Sequence, residues 1–492
     1  MSNYILWILL LAIWNVVLFF EKTFGISVML SMVPLLIFIY IFMKKNDLIR
    51  NKSGLLFMIP TLLLSATYGI YDNTTFSVLN FFAIIILLTF TFIYTVKGVE
   101  KFKYLFIDTC KLLLFPLTYI GKFFRVSTAK IKEKVKIGDN TKKVLKALLI
   151  VVPILLIVIT LLSKADMIFG NIFNGLWDKV WDFLESEIFS NFLGRLVTFI
   201  VVFFAIGISL MYVLFEYSKQ EVDEDKPNNK KRDLFTIKLL VTALDVVYVI
   251  FDFIQIKSLM LHSVSSNINY AEYARQGFFE LMVVSIINIA VLLICKKFEN
   301  KTNKKEFKFI NIMSVLMVVL TMIIIVSSFL RMNLYENAFG YTTLRLLVYI
   351  TLITESILMI PTTIYIFKPE VQVFKSYILI ILVAYIFANY INIDYMVARK
   401  NLDRYYNSKE FDLDYLMNYD TDNISVLVEL YKNDKYNEPH RVELSNYLIN
   451  MKSTLNDERS IFEFNVSRYK AKKLLNETNT LPNIIYEDYP ER

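Results

Sequence analysis

Eleven apolar blocks, each long enough to cross a bilayer as a helix, alternate along this chain with polar connections, and its basic residues crowd into every second connection. The spans fall near 4–20, 24–43, 54–71, 75–95, 144–163, 192–215, 234–256, 278–295, 309–330, 342–367 and 376–395. Connections at 44–53, 96–143, 216–233, 296–308 and 368–375 hold 29 Lys and Arg in total. The opposite set, at 21–23, 72–74, 164–191, 257–277 and 331–341, holds only 6. That asymmetry predicts an all-α, polytopic transmembrane helix bundle of the cell membrane, its N-terminus cytoplasmic and its C-terminus extracytoplasmic.

Charge distribution separates two regions. Residues 396–492 carry 14 basic and 17 acidic side chains, whereas the whole chain has a net charge of +8. The basic surplus therefore belongs to residues 1–395, the transmembrane helical domain, where it flanks the spans and faces anionic lipid headgroups. It is topology chemistry and implies no nucleic-acid partner. The C-terminal stretch 396–492 is polar and rich in Tyr and Asn, with short helical patterns at Asp414–Met417, Ile424–Tyr431 and Leu444–Met451. It reads as a small helical extramembrane domain that could dock a protein partner. Met1–Phe20 lacks a basic leader and a small-residue cleavage site, and reads as a first span.

Two further segments are amphipathic. Tyr104–Ile120 is apolar but carries Asp108, Lys111 and Pro116, and is expected to lie on the inner surface. Phe169–Phe189 repeats Phe, Leu and Trp at helical spacing, with Trp177 and Trp181 as interface anchors.

Much chemistry is excluded. There is no G-x-x-x-x-G-K-[ST] loop and no H-E-x-x-H. Cys110 and Cys295 lie far apart, and His262 and His440 are isolated, so no metal or other cofactor is expected. Multi-helix glycosyltransferases that use lipid-linked sugars would show an acidic motif in a roomy first outer loop. Glu21-Lys22-Thr23 is too short for one.

Charges inside spans are costly, roughly 2.5–3.5 kcal/mol each on insertion scales, so each needs a reason. Lys238, Thr242, Asp245, Asp252 and Gln255 share one face of the seventh span. Glu355 stands mid-membrane in the tenth, before Pro361. Lys238, Asp245, Asp252 and Glu355 form either an intramembrane polar path or buried pairs that glue helices together. Arg195, Asn389, Asn392 and Asp394 lie nearer the interface, as packing or snorkelling groups.

The outer connections are dense in Arg, Tyr and carboxylate. The first runs from Tyr270 through Glu272, Tyr273 and Arg275 to Glu280; the second from Arg331 through Tyr335 to Arg345. With Ser163-Lys164-Ala165-Asp166 and Asn401-Leu402-Asp403-Arg404-Tyr405, these stretches resemble a bacterial family of polytopic membrane proteins known only as a domain of unknown function, the 4153/4173 group. The resemblance covers roughly residues 140–420, and Tyr341 stands where the family pattern has leucine. It implies the architecture and supplies no activity. On the predicted topology Asp166, Glu272, Tyr273, Arg275, Glu280, Arg331, Tyr335, Arg345, Asp403 and Arg404 gather at the outer face. They make either a ligand-binding site, for which Arg suits phosphate or carboxylate, or a lattice that pins helix ends.

Three functions stay open. The first is a transporter, lipid-interacting or envelope-sensing protein. The second is an envelope enzyme acting on a lipid-linked or anionic substrate at the outer surface, with Asp166, Glu272 or Asp403 as acid or base and the arginines as clamps. The third is a scaffold for another membrane protein.

Overall fold

A computed structural model describes residues 4–97, 102–134, 187–220, 234–257, 278–298, 304–407, 412–433, 438–457 and 459–478. Every regular element among them is helical. The first six helices are α1 (Ile5–Phe19), α2 (Ile26–Lys45), α3 (Met58–Ile70), α4 (Thr74–Val96), α5 (Phe102–Leu114) and α6 (Ile120–Lys134). Next come α7 (Glu187–Phe215), α8 (Leu234–Gln255), α9 (Phe278–Phe298), α10 (Lys304–Phe339), α11 (Thr343–Phe367) and α12 (Val373–Tyr390). The C-terminal stretch holds α13 (Ile393–Tyr406), α14 (Leu413–Met417), α15 (Ile424–Tyr431), α16 (Glu438–Asn456) and α17 (Val466–Glu477).

Eight helical stretches among the described residues are long and apolar enough to cross a bilayer. They include α2, α4, α9, α10, α11 and α12, the run from Lys52 through α3, and the run from Ser190 to Lys219. α1, with 15 residues, and α8, with Lys238, Asp245 and Asp252, stand outside that set. The fifth expected span, 144–163, lies outside the described residues, as does 169–186 of the second amphipathic segment.

Two expected boundaries move. The connection expected at 331–341 is largely helix, because α10 runs 36 residues to Phe339. No Gly or Pro interrupts it, and the first glycine, Gly340, ends it at φ +82°. The last span ends at Tyr390, not 395. Asn392 turns the chain at φ 47°, and its side chain accepts from the Tyr395 amide to cap α13.

The chain divides into two compact units. The first comprises residues 1–55, 89–98 and 106–221. There α1 pairs with α2 through Trp14 Nε1 donating to the Leu30 carbonyl (3.0 Å) and Ser31 Oγ to Asn15 Oδ1 (2.8 Å). Phe123 of α6 is fully buried against Gly207 of α7, where a Cβ would lie 2.0 Å from the ring. Asp108 on α5 is buried and pairs with Lys97 (3.3 Å) while accepting from Tyr217 Oη (3.0 Å). Leu113, Leu114, Leu117 and Phe124 stay exposed beside it, an apolar face suited to lipid.

The second unit comprises residues 56–88, 99–105 and 222–492. α8, α9, α10 and α11 pack around Val241, Leu292, Ile310, Met317, Ile325 and Leu352. α13 to α17 share a core of Val397, Leu402, Ile424, Leu427, Leu444, Leu448 and Leu475, which reaches Leu346 of α11 and Phe76 of α4. The short patterns read at 414–417, 424–431 and 444–451 lie within α14, α15 and α16.

Candidate functional site

α8 is built inside out. Val246, Val247, Ile250 and Phe253 are more than half exposed, whereas Asp245 and Asp252 are each only 2 % exposed. That arrangement suits a hydrocarbon exterior, with the polar stripe turned into the bundle. Its register against α10 is fixed at both ends: the Lys238 ammonium lies 5.6 Å from the Phe309 ring centre, and Arg331 Nη2 donates to Gln255 Oε1 (2.9 Å). The two helices therefore run parallel. Asp245 and Asp252 are two turns apart, about 10 Å along the axis. Among the described residues neither oxygen of either carboxylate has a hydrogen-bond partner.

The helices facing them carry more polar groups. Tyr248 Oη donates to Asn288 Oδ1 (2.7 Å), and Asn288 Nδ2 to Thr321 Oγ1 (3.0 Å). Ser285 Oγ donates to Glu355 Oε2, while Glu355 Oε1 has no partner among the described residues. Ser314 and Ser327 on α10 are fully buried, their hydroxyls without a partner among the described residues. Asn288, Thr321 and Ser285 give the carboxylates polar company that sequence reading did not single out; each alone is an unremarkable residue in an apolar run. A buried polar seam of this kind can take up and release a proton or hold a small cation.

The arginines expected at the outer face are used differently. Arg404 Nη1 donates to the Glu336 (2.7 Å) and Asn337 (2.8 Å) carbonyls. Arg345 Nη1 donates to those of Phe339 (3.2 Å) and Gly340, and its guanidinium lies 4.2 Å from the Tyr335 ring centre. Both cations thus satisfy the open carbonyls that end α10 and complement its dipole. Asn401 closes the turn, accepting from the Tyr341 amide (2.9 Å) and donating to its carbonyl (2.8 Å). A Cβ on Gly340 would lie 2.8 Å from Asn401 Oδ1. The motifs Arg331–Arg345 and Asn401–Tyr405 are therefore two halves of one helix-end lock. Tyr335 stacks on Phe278, and Asp403 pairs at the surface with Arg399 (3.4 Å). Glu280 is exposed on the first turn of α9. Asp166, Glu272, Tyr273 and Arg275 lie outside the described residues.

A third polar cluster joins α13 to α17 to the α3–α4 turn. Arg468 Nη2 meets Asp72 Oδ1 (2.6 Å), Thr421 Oγ1 donates to Asp72 Oδ2 (2.9 Å), and Asp422 Oδ2 accepts from the Asp72 amide (2.9 Å). Asn73 Nδ2 and Thr343 Oγ1 both donate to Asp394 (2.6 and 3.1 Å), and Asp420 accepts from the Thr74 amide (2.9 Å). Burial first, then the nearby Asp422 charge, pushes Asp394 up to about 7, against the hydrogen bonds from Thr343 and Asn73. Burial likewise lifts Asp422 to about 6. Beneath them Asn80 Nδ2 donates to Asn389 Oδ1 (2.6 Å), and a cavity of about 20 Å³ fits a single water. Sequence reading found Asn389, Asn392 and Asp394 here but missed Asp72, Asp420, Asp422 and Arg468. Their partners lie more than 300 residues away, beyond any local pattern.

Long apolar helices with polar stripes turned inward define an integral, multi-pass α-helical membrane protein. The chain matches the domain of unknown function DUF4153 over residues 58–430 and belongs to that family. The match begins well ahead of the motifs near residue 163. No curated protein and no solved structure matches the chain.

Proposed function

We propose that this protein is a non-enzymatic membrane protein that binds and passes a proton or small cation along the seam between α8, α9, α10 and α11. The observation that carries this reading is the pair Asp245 and Asp252, buried on a span-length helix without a partner among the described residues. Glue between helices pairs its polar groups, and an unpaired carboxylate at that depth costs several kcal/mol unless a proton or cation accompanies it. Glu355 is the third exchange group, and Lys238 marks the end of α8 that the basic connections assign to the cytoplasm. Arg345 and Arg404 serve helix ends, so the transported species is handled in the seam and not on the outer rim.

Purified protein in proteoliposomes, under an imposed potential, is expected to carry protons or Na⁺ faster than empty vesicles. Asp245→Asn with Asp252→Asn should abolish that flux, and Asp403→Asn should leave it intact. Equal flux in wild type, double variant and empty vesicles would sink the proposal.

A further inference from the structure

Among the described residues of the C-terminal stretch, three exposed large apolar side chains fall close together, apart from Tyr406 on α13. Ile461 is 79 % exposed, Phe464 43 % and Tyr469 57 %, all within nine residues. Solvent-facing positions of this kind normally carry polar groups, so the patch needs a cover. Its location says what that cover is. Asn465 Nδ2 donates to the carbonyls of Tyr68 (2.9 Å) and Tyr71 (2.8 Å), and Ser467 Oγ to that of Ile70 (3.1 Å). Tyr68 and Ile70 end a membrane-crossing helix, so Asn465 and Ser467 sit at the bilayer boundary. Phe464 is the residue next to Asn465.

The turn itself is rigidly made. Ser460 and Glu463 form a reciprocal capping box, which holds Ile461–Glu463 as one turn of 3₁₀ helix and leaves Ile461 pointing outward. Beside it is a hollow of about 290 Å³ lined by Ile461 and Phe464, by the cations Arg459 and Lys472, and by Asp457 and the Glu463 of the capping box. Apolar tips with basic side chains within reach suit a lipid interface, where acyl chains meet phosphates.

We propose that the Ile461–Phe464 turn is a membrane foot: Ile461 and Phe464 enter the boundary between headgroups and acyl chains, and Arg459 and Lys472 meet lipid phosphates. The occupant is the bilayer in which α3 stands, because Asn465 and Ser467, beside Phe464, are bonded to the end of that helix. The foot would set the depth of α16 and α17 against the membrane.

The test uses the full chain with Cys110→Ser and Cys295→Ser, in nanodiscs of phosphatidylcholine and phosphatidylglycerol. Single cysteines replace Ile461, Phe464 or Ser453, the last an exposed site on α16, and carry a nitroxide. At 461 and 464, collisions with oxygen, which dissolves in lipid, should exceed those with a water-soluble nickel chelate several-fold; at 453 the order should reverse. Chelate-dominated collisions at all three sites would overturn the foot. So would shielding of 461 and 464 from both reagents, which would mean that protein covers the patch. As a second readout, Ile461→Asp with Phe464→Asp should move a label at Tyr469→Cys toward the chelate, and no movement would count against the proposal.

Discussion

Asp394 shows how one residue couples protonation to folding. It is buried between Asn73 of the α3–α4 turn and Thr343 at the start of α11, with Asp72, Asp420, Asp422 and Arg468 in the same cluster. Its folded pKa, pushed up to about 7, lies above the ordinary aspartate value near 3.8. The folded chain therefore holds a proton that the unfolded chain would release. The stability this group contributes is complete below about pH 4 and is lost as pH rises through about 7. Thermal unfolding in detergent should fall in midpoint between pH 5 and pH 8, and Asp394→Asn should flatten that slope. An unchanged slope in the variant would place the pH dependence elsewhere, with Asp422 the next group to substitute. In the sequence Asp394 looked like the polar end of a span; nothing local announced that Asn73 would meet it.

The end of α10 is the element on which two family-like motifs converge. At 36 residues it is about 54 Å long, well beyond the hydrocarbon thickness of about 30 Å. Its polar last turns read as a connection because composition there resembles a loop, while helical continuity is decided by packing and by the cap supplied from α11 and α13. Arg404→Ala leaves the Glu336 and Asn337 carbonyls without a cationic donor and should cost about 1.5–3 kcal/mol, read as a lowered unfolding midpoint. Arg404→Lys should restore only part of the loss, because an ammonium cannot spread its donors over successive carbonyls as a guanidinium fork does. Full rescue by lysine would reduce the interaction to simple charge. The intramembrane limits were far easier to read. Spans expected at 278–295 and 342–367 correspond to Phe278–Lys296 and Thr343–Phe367, because apolar length alone sets them.

At the scale of the whole molecule, the apolar blocks made the all-α membrane architecture legible. What they could not reveal is which blocks meet. The seam of Asp245, Asn288, Thr321 and Glu355 draws on four helices, and the Asp72–Arg468 pair spans 396 residues of chain. The proposed orientation is checked in intact cells, on the chain with Cys110 and Cys295 replaced. A cysteine at Ser453 should react with a membrane-impermeant thiol reagent without lysis if α13 to α17 face outward. Protection until lysis would put them in the cytoplasm and reverse the assigned direction of the seam.

The Asn465 bonds to the end of α3 also bear on the order of assembly during synthesis. Asn465 is made 397 residues after Tyr68. At 5–20 residues per second that is a wait of roughly 20–80 s, during which Asp72 and the carbonyl ends of α3 face water without their final partners. The turn between α3 and α4 is thus among the first connections to be made and among the last to be locked. A ribosome that stalls before Arg468 releases a chain with its spans made and its Asp72–Arg468 latch missing.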